Sequence, residues 1–154
     1  MEELEKLRKE IDKLDKMIAG LISKRQGLSN KILEAKGGDF TYDPVRERKV
    51  MKKIFSYDID SKLAERIWRQ IISFNLSKQK KLKIGYLGDD KFSIAAYESY
   101  FGPYFENRDF KNVIKLTEGI NKKIIDVAII EKSQFDLNKI NFKIKIVSEF
   151  PLNE

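Results

Sequence analysis

The 154-residue chain contains no cysteine and no histidine, and only three prolines and one tryptophan. Without cysteine there is no disulfide, no thiolate nucleophile and no cysteine-ligated zinc site. Without histidine the commonest general base and the commonest metal ligand are missing too. No apolar run approaches the roughly 20 residues that a bilayer crossing needs. The opening "MEELEKLRKE" is too charged for a secretory signal. These absences predict a soluble cytoplasmic protein. Few prolines and eight glycines leave no low-complexity linker, and no internal repeat is visible.

What is abundant is charge. Lysine and arginine number 31 against 24 aspartates and glutamates, a net of +7, and most of the excess lies in residues 1–80. A basic balance of this kind suits anionic partners, from small carboxylates to nucleic acid. It is equally what lysine-rich solvated helix faces produce with no partner at all.

The chain divides by the period of its apolar residues, predicting a helical domain over 1–80 and a small α/β segment over 81–154. Leu4, Leu7, Ile11, Leu14, Ile18, Leu21, Leu28, Ile32 and Ala35 recur at alternating spacings of three and four, the mark of one helix face. That helix is expected from Glu2 to Lys36, stopped by Gly37-Gly38. At about 1.5 Å per residue it is roughly 50 Å long, longer than a small domain is wide, so its stripe calls for a second copy of the chain. In "YDPVRERKVMKKIF", Asp43 and Pro44 are placed to cap and start a second helix ending near Phe55. A third begins at Asp60 or Ser61 and runs to Gln79, with Leu63, Ile67, Ile71 and Phe74 as its apolar face and Trp68 beside them. Beyond Lys81, "KLKIGYLG" reads as a strand and "FSIAAYESYFG" as a helix ending at Gly102-Pro103. "NVIKL", "IIDVAII" and "FKIKIVSEF" read as β-rich runs, with no flexible linker before the segment.

Several polar residues do not sit where a solvated face would put them. The apolar series demands residue 25 between Leu21 and Leu28, and that residue is arginine. An unpaired buried charge costs several kcal/mol, so Arg25 needs either a glutamate partner or an anionic ligand. Lys36 follows eleven residues later, about 20° around the helix and roughly 16 Å along it, so both reach towards one side. Arg8 lies about 25 Å from Arg25 along the axis and shares a small ligand with it only if it comes from an antiparallel second chain. Asp43, Arg46 and Glu47 cluster in the first turn of the second helix, where capping and local pairing would account for them. Asn75 and Gln79 share a face of the third, where they could be solvated amides. Taken together, the set offers cations, amides and carboxylates but no nucleophile or proton shuttle.

Those residues carry a resemblance. "LRKEIDKLDKMIAGLISKR", "EAK", "YDPVRE" and "IWRQIISFNLSKQ" are similar, at polar as well as apolar positions, to the all-helical class of chorismate mutases. These are the intertwined three-helix dimers of the shikimate pathway of aromatic amino acid biosynthesis. The resemblance covers residues 4–79 and implies a mainly α fold, a three-helix homodimer followed by the α/β segment. It also implies roles. Arg25 would hold a carboxylate of chorismate together with Arg8 of a second chain, and Lys36 and Gln79 would face the ether oxygen of the breaking bond. Glu47 would accept from the ring hydroxyl, with Asp43 and Arg46 shaping that corner. Asn75 would lie near a carboxylate, where the family often has serine. Conversion of chorismate to prephenate is an intramolecular Claisen rearrangement with no proton transfer or covalent intermediate. It needs positioning and preorganised donors, no metal and no cofactor.

The second half is similar in "KIGYLGDDKFSIAAYESYFG" and "IIDVAIIEKS" to parts of the prephenate dehydratase domain. It is too short for that two-lobed domain and lacks its Thr-Arg-Phe motif, so no dehydratase activity is expected. A lobe packing on the helical dimer or binding an effector is left open. Two other readings stand beside the mutase: an isochorismate-pyruvate lyase on the same helical fold, and a basic helical dimer binding nucleic acid or serving as a scaffold. Against nucleic acid, the cations lie among apolar positions rather than along an exposed stripe with interleaved aromatics.

Overall fold

The computed structural model describes residues 2–38, 42–136, 144 and 146–149. Packing divides the chain into two compact units, Met1–Phe40 and Thr41–Glu154.

The first unit is one helix, α1, Glu2–Ala35. Glu2, Glu3 and Glu5 in its first turn complement the positive end of the helix dipole. At the other end Gly37 donates to the Glu34 carbonyl at 2.9 Å and Gly38 to that of Leu33 at 3.0 Å. Both glycines are left-handed, with φ of 71° and 75°, the backbone state that closes a helix in this crossed pattern and that glycine adopts without strain. None of the residues of α1 is buried. Leu4, Leu7, Ile11, Leu14, Ile18, Leu21, Leu28 and Ile32 are each more than half exposed.

The second unit opens with α2, Pro44–Ile54, and α3, Ser61–Gln79. Both have the caps their sequence announces. The Asp43 carboxylate accepts from the Arg46 amide at 2.9 Å, and the Asp60 carboxylate from the Leu63 amide at 2.9 Å. The buried face of α3 differs from the expected one. Ala64, Arg69, Ile72, Ser73, Asn75 and Leu76 are buried, whereas Leu63 is 52% and Ile67 37% exposed. The small side chains of this face let the following segment pack closely, and the larger aliphatic residues are left outward.

That segment is an α/β lobe: β1 Lys83–Leu87, α4 Lys91–Tyr100, β2 Glu106–Phe110, α5 Val113–Asn121 and β3 Val127–Ala128. The strands are all parallel, in the order β2-β1-β3. Successive residues of a strand face opposite ways. Tyr86 accordingly stacks on Tyr97 of α4, ring centres 5.3 Å apart, while Leu87 joins Leu116 of α5 and Ile125 in the lobe's core. The two helices thus cover opposite faces of the sheet.

Three expectations for this lobe change. "NVIKL" is not a strand: Asn112 caps a helix by accepting from the Lys115 amide at 2.9 Å, and Val113, Leu116 and Ile120 line the face that packs on the core. "IIDVAII" contributes only two paired residues, Val127 and Ala128. The strand on the other side of β1 is "ENRDF", whose first four residues are exposed, so it carries no apolar signature. Most of "FKIKIVSEF" lies outside the described residues; 144 and 146–149 form no regular element.

The lobe is fixed to α3 by buried contacts. The Ser73 hydroxyl donates to the Tyr100 carbonyl at 2.7 Å, and Phe74 meets Tyr104 edge to face at 5.4 Å. Between them Gly102 has φ of 63°, and a Cβ there would come within 2.6 Å of the Gln70 side-chain oxygen. Only glycine fits this close, left-handed turn against α3.

Candidate active site

Helix α1 and the turn after it carry three of the residues singled out in the sequence. Arg8 is exposed and pairs with Glu5 one turn away at 2.6 Å. An exposed pair of this sort contributes little stability and leaves the guanidinium available to an anion. Lys36 is exposed in the turn after the helix, where its amide bonds the Ile32 and Leu33 carbonyls. Arg25 behaves differently. It is half-buried although Leu21 and Leu28, its neighbours on the seam, are 63% and 53% exposed. Burial pushes its guanidinium below the ordinary arginine range. Within α1 no carboxylate pairs with it, so the glutamate partner that would have explained Arg25 is not supplied by its own helix.

In the second unit Asp43 and Arg46 are exposed at the start of α2, joined by the capping bond. Glu47, one residue further, turns inward and is buried. Its Oε2 accepts from both terminal nitrogens of Arg69 at 3.1 Å and from the Tyr100 hydroxyl at 3.3 Å. Arg69 is itself only 2% exposed. Its guanidinium carbon lies 3.8 Å from the centre of the Tyr100 ring, and its Nε and Nη2 each reach the Tyr100 carbonyl at 3.4 Å. The Tyr42 hydroxyl hydrogen-bonds that of Tyr100. A buried charge pair is tolerated when geometry is good and remaining donors are satisfied, and here Arg69 spends its donors on a carboxylate and a carbonyl.

The electrostatics follow from this burial. Desolvation raises the Glu47 carboxyl above its ordinary range, and Arg69 and the Tyr100 hydroxyl pull it part of the way back. Desolvation likewise raises Tyr42 and Tyr100, so both phenols stay neutral donors. Among the described residues no cluster of His, Cys, Asp or Glu could hold a metal. The site offers hydrogen bonds and charge, not a nucleophile.

Asn75 lies on the buried face of α3, 8% exposed, and its Nδ2 is a buried donor with no acceptor among the described residues. Such a group costs about 1–3 kcal/mol of unrecovered desolvation, a cost that an anionic or hydroxylic ligand would offset. Gln79, one turn on, is half-buried at the last position of α3 and has interactions of its own. Glu47 and Asn75 are thus each buried in the second unit. Asp43 and Arg46 lie at its surface, and Arg8, Arg25 and Lys36 lie on α1 or in the turn that follows it. Sequence reasoning missed Arg69, Tyr100, Ser73 and Tyr42. Only Arg69 left a signal, a charge three and seven residues before Ile72 and Leu76 on one face.

Comparison with known proteins finds one family model and several relatives. Residues 7–80 match the family model described as chorismate mutase type II. The chain is 36% identical over 112 residues to a bifunctional chorismate mutase/prephenate dehydratase of Aquifex aeolicus, a span covering 66% of this chain and 31% of the relative. Proteins of the same description from Stutzerimonas stutzeri and Pseudomonas aeruginosa are 32% and 31% identical over spans of the same length. The matched span is thus 31% of each relative's length. No solved structure matches.

Proposed function

We propose that this chain, whose N-terminal half carries a chorismate mutase type II domain, rearranges chorismate to prephenate as a homodimer. The observation that carries the reading is Asn75: a buried amide donor without an acceptor among the described residues, in the same unit as a buried carboxylate and within the family match. Natural proteins satisfy nearly all buried polar groups, so an orphan of this kind marks a place for a polar ligand.

In this reading Arg25 and Arg8 of the second chain clamp the carboxylates of the substrate, and Asn75 gives its free N–H to one of them. Lys36 and Gln79 donate to the ether oxygen as negative charge develops there. Glu47 accepts from the ring hydroxyl, and Asp43 and Arg46 form the rim beside it. Holding the substrate in its reactive chair removes much of the entropic barrier, and preorganised donors lower the rest. No step needs a proton carrier, which suits a chain without histidine. The exposed apolar stripe of α1 supports the dimer, since fully burying each leucine or isoleucine is worth about 1.5–3 kcal/mol.

The test is direct. Purified protein should deplete chorismate with formation of prephenate and no release of pyruvate. Pyruvate from isochorismate, with chorismate untouched, would instead assign the lyase reaction. Salt-sensitive binding of DNA or RNA with no turnover would assign a nucleic-acid role.

A further inference from the structure

Three donors reach Glu47, and all three converge on Oε2: two from Arg69 and one from Tyr100. Oε1 takes none of them, and Glu47 keeps 9% of its surface exposed. Arg69 and Glu47 belong to the helices of the mutase domain, but Tyr100 does not. It is the last residue of α4, in the α/β lobe, 53 residues from Glu47 in sequence. It is also the best-tied residue of the contact: its carbonyl takes Ser73 and Arg69, its ring lies under the guanidinium, and its hydroxyl meets both Tyr42 and Glu47. An extended aromatic pack, Tyr100–Phe101–Phe105, holds it from behind, with ring centres 4.8 and 5.6 Å apart.

We infer that Tyr100 is a positioning residue for the mutase reaction: its hydroxyl and Arg69 hold one oxygen of Glu47 and so present the other to the ring hydroxyl of the substrate. The lobe thereby completes the active site without touching the substrate. The inference rests on the mutase reading given above.

The physical content is twofold. Three fixed donors on one carboxylate oxygen remove the rotation that would otherwise blur the acceptor direction of the other. They also favour the ionised form of a buried acid that desolvation pushes towards neutrality. The groups facing this carboxyl are Arg69 from α3, Tyr100 from α4, and Asp43 and Tyr42 ahead of α2; Asp43 opposes ionisation.

Tyr100→Phe removes the hydroxyl alone, leaving the ring over Arg69 and the backbone carbonyl that Arg69 and Ser73 use. The expected result is a fall in kcat/KM of about tenfold. The acid limb of its pH profile should move to higher pH, because a bond that stabilised the carboxylate is gone. The melting temperature of the full chain should change by only a few degrees. A kcat/KM and an acid limb both unchanged in Tyr100→Phe, with the wild type active, would overturn the inference and leave the mutase reading intact. A wild type that does not act on chorismate would overturn the reading and the substrate role of Glu47 with it. Titration of the Glu47 carboxyl carbon by NMR in both proteins separates the remaining case. A midpoint higher in Tyr100→Phe supports the coupling, and identical midpoints overturn it whatever the activity.

Discussion

Helices α1 and α3 face the same problem and meet it in different ways. Both place an arginine on an apolar face. In α3 the arginine is Arg69, buried and answered within its own unit by Glu47, a carbonyl and an aromatic ring. In α1 it is Arg25, half-buried with no carboxylate of its helix beside it, on a 34-residue element that buries none of its residues. The first is a finished structural device. The second is unanswered within α1, apolar stripe and cation alike. The contrast teaches that a charge on a seam is diagnostic only once its partners are counted.

Four substitutions break or sharpen the contrast, in falling order of effect. Replacing Leu14 and Ile18 together by aspartate should convert the protein to monomer and reduce turnover to background. Sedimentation and chorismate depletion check it, and a dimeric, active double variant would contradict the role given to α1. Arg69→Ala leaves Glu47 as an uncompensated buried charge, so unfolding in denaturant should show a loss of about 3–5 kcal/mol. Arg25→Ala should do the reverse. Stability should change little, while kcat/KM falls about 10²–10³-fold through loss of a charge-stabilising donor; the pair of melting curve and rate decides it. Asp60→Ala removes only a cap of α3 and should cost about 1 kcal/mol with activity retained.

Much of this was readable in advance because it is local. Asp43-Pro44, Asp60 and Gly37-Gly38 set helix ends through interactions spanning three to five residues, and α1 and α2 follow from them. The readings that failed were those where local chemistry is ambiguous. Val113, Ile114 and Leu116 suit strand or helix equally, and the deciding features were the cap at Asn112 and Ile120 one turn further on. "ENRDF" pairs through its backbone at the edge of the sheet, so its side chains give no sign of it. Of the candidate site residues, Arg25 stands out in the sequence because a charge within an apolar series is visible there, whereas Glu47 lies in a charged turn and its burial is not visible. Tyr100 was not legible either, since nothing in a tyrosine at the end of α4 says that it meets α2. That contact is a product of tertiary packing, and only the folded lobe reveals it.

The central claim is that the α1 cations serve a site shared between two chains. Arg8→Ala and Arg25→Ala, each strongly impaired alone, should regain activity when unfolded together and refolded as a mixture. Half the dimers then carry one variant of each kind, and one of the two sites in each such dimer keeps both arginines, so about a quarter of wild-type activity should return. A mixture as inactive as its components, with dimers reformed, would contradict the claim.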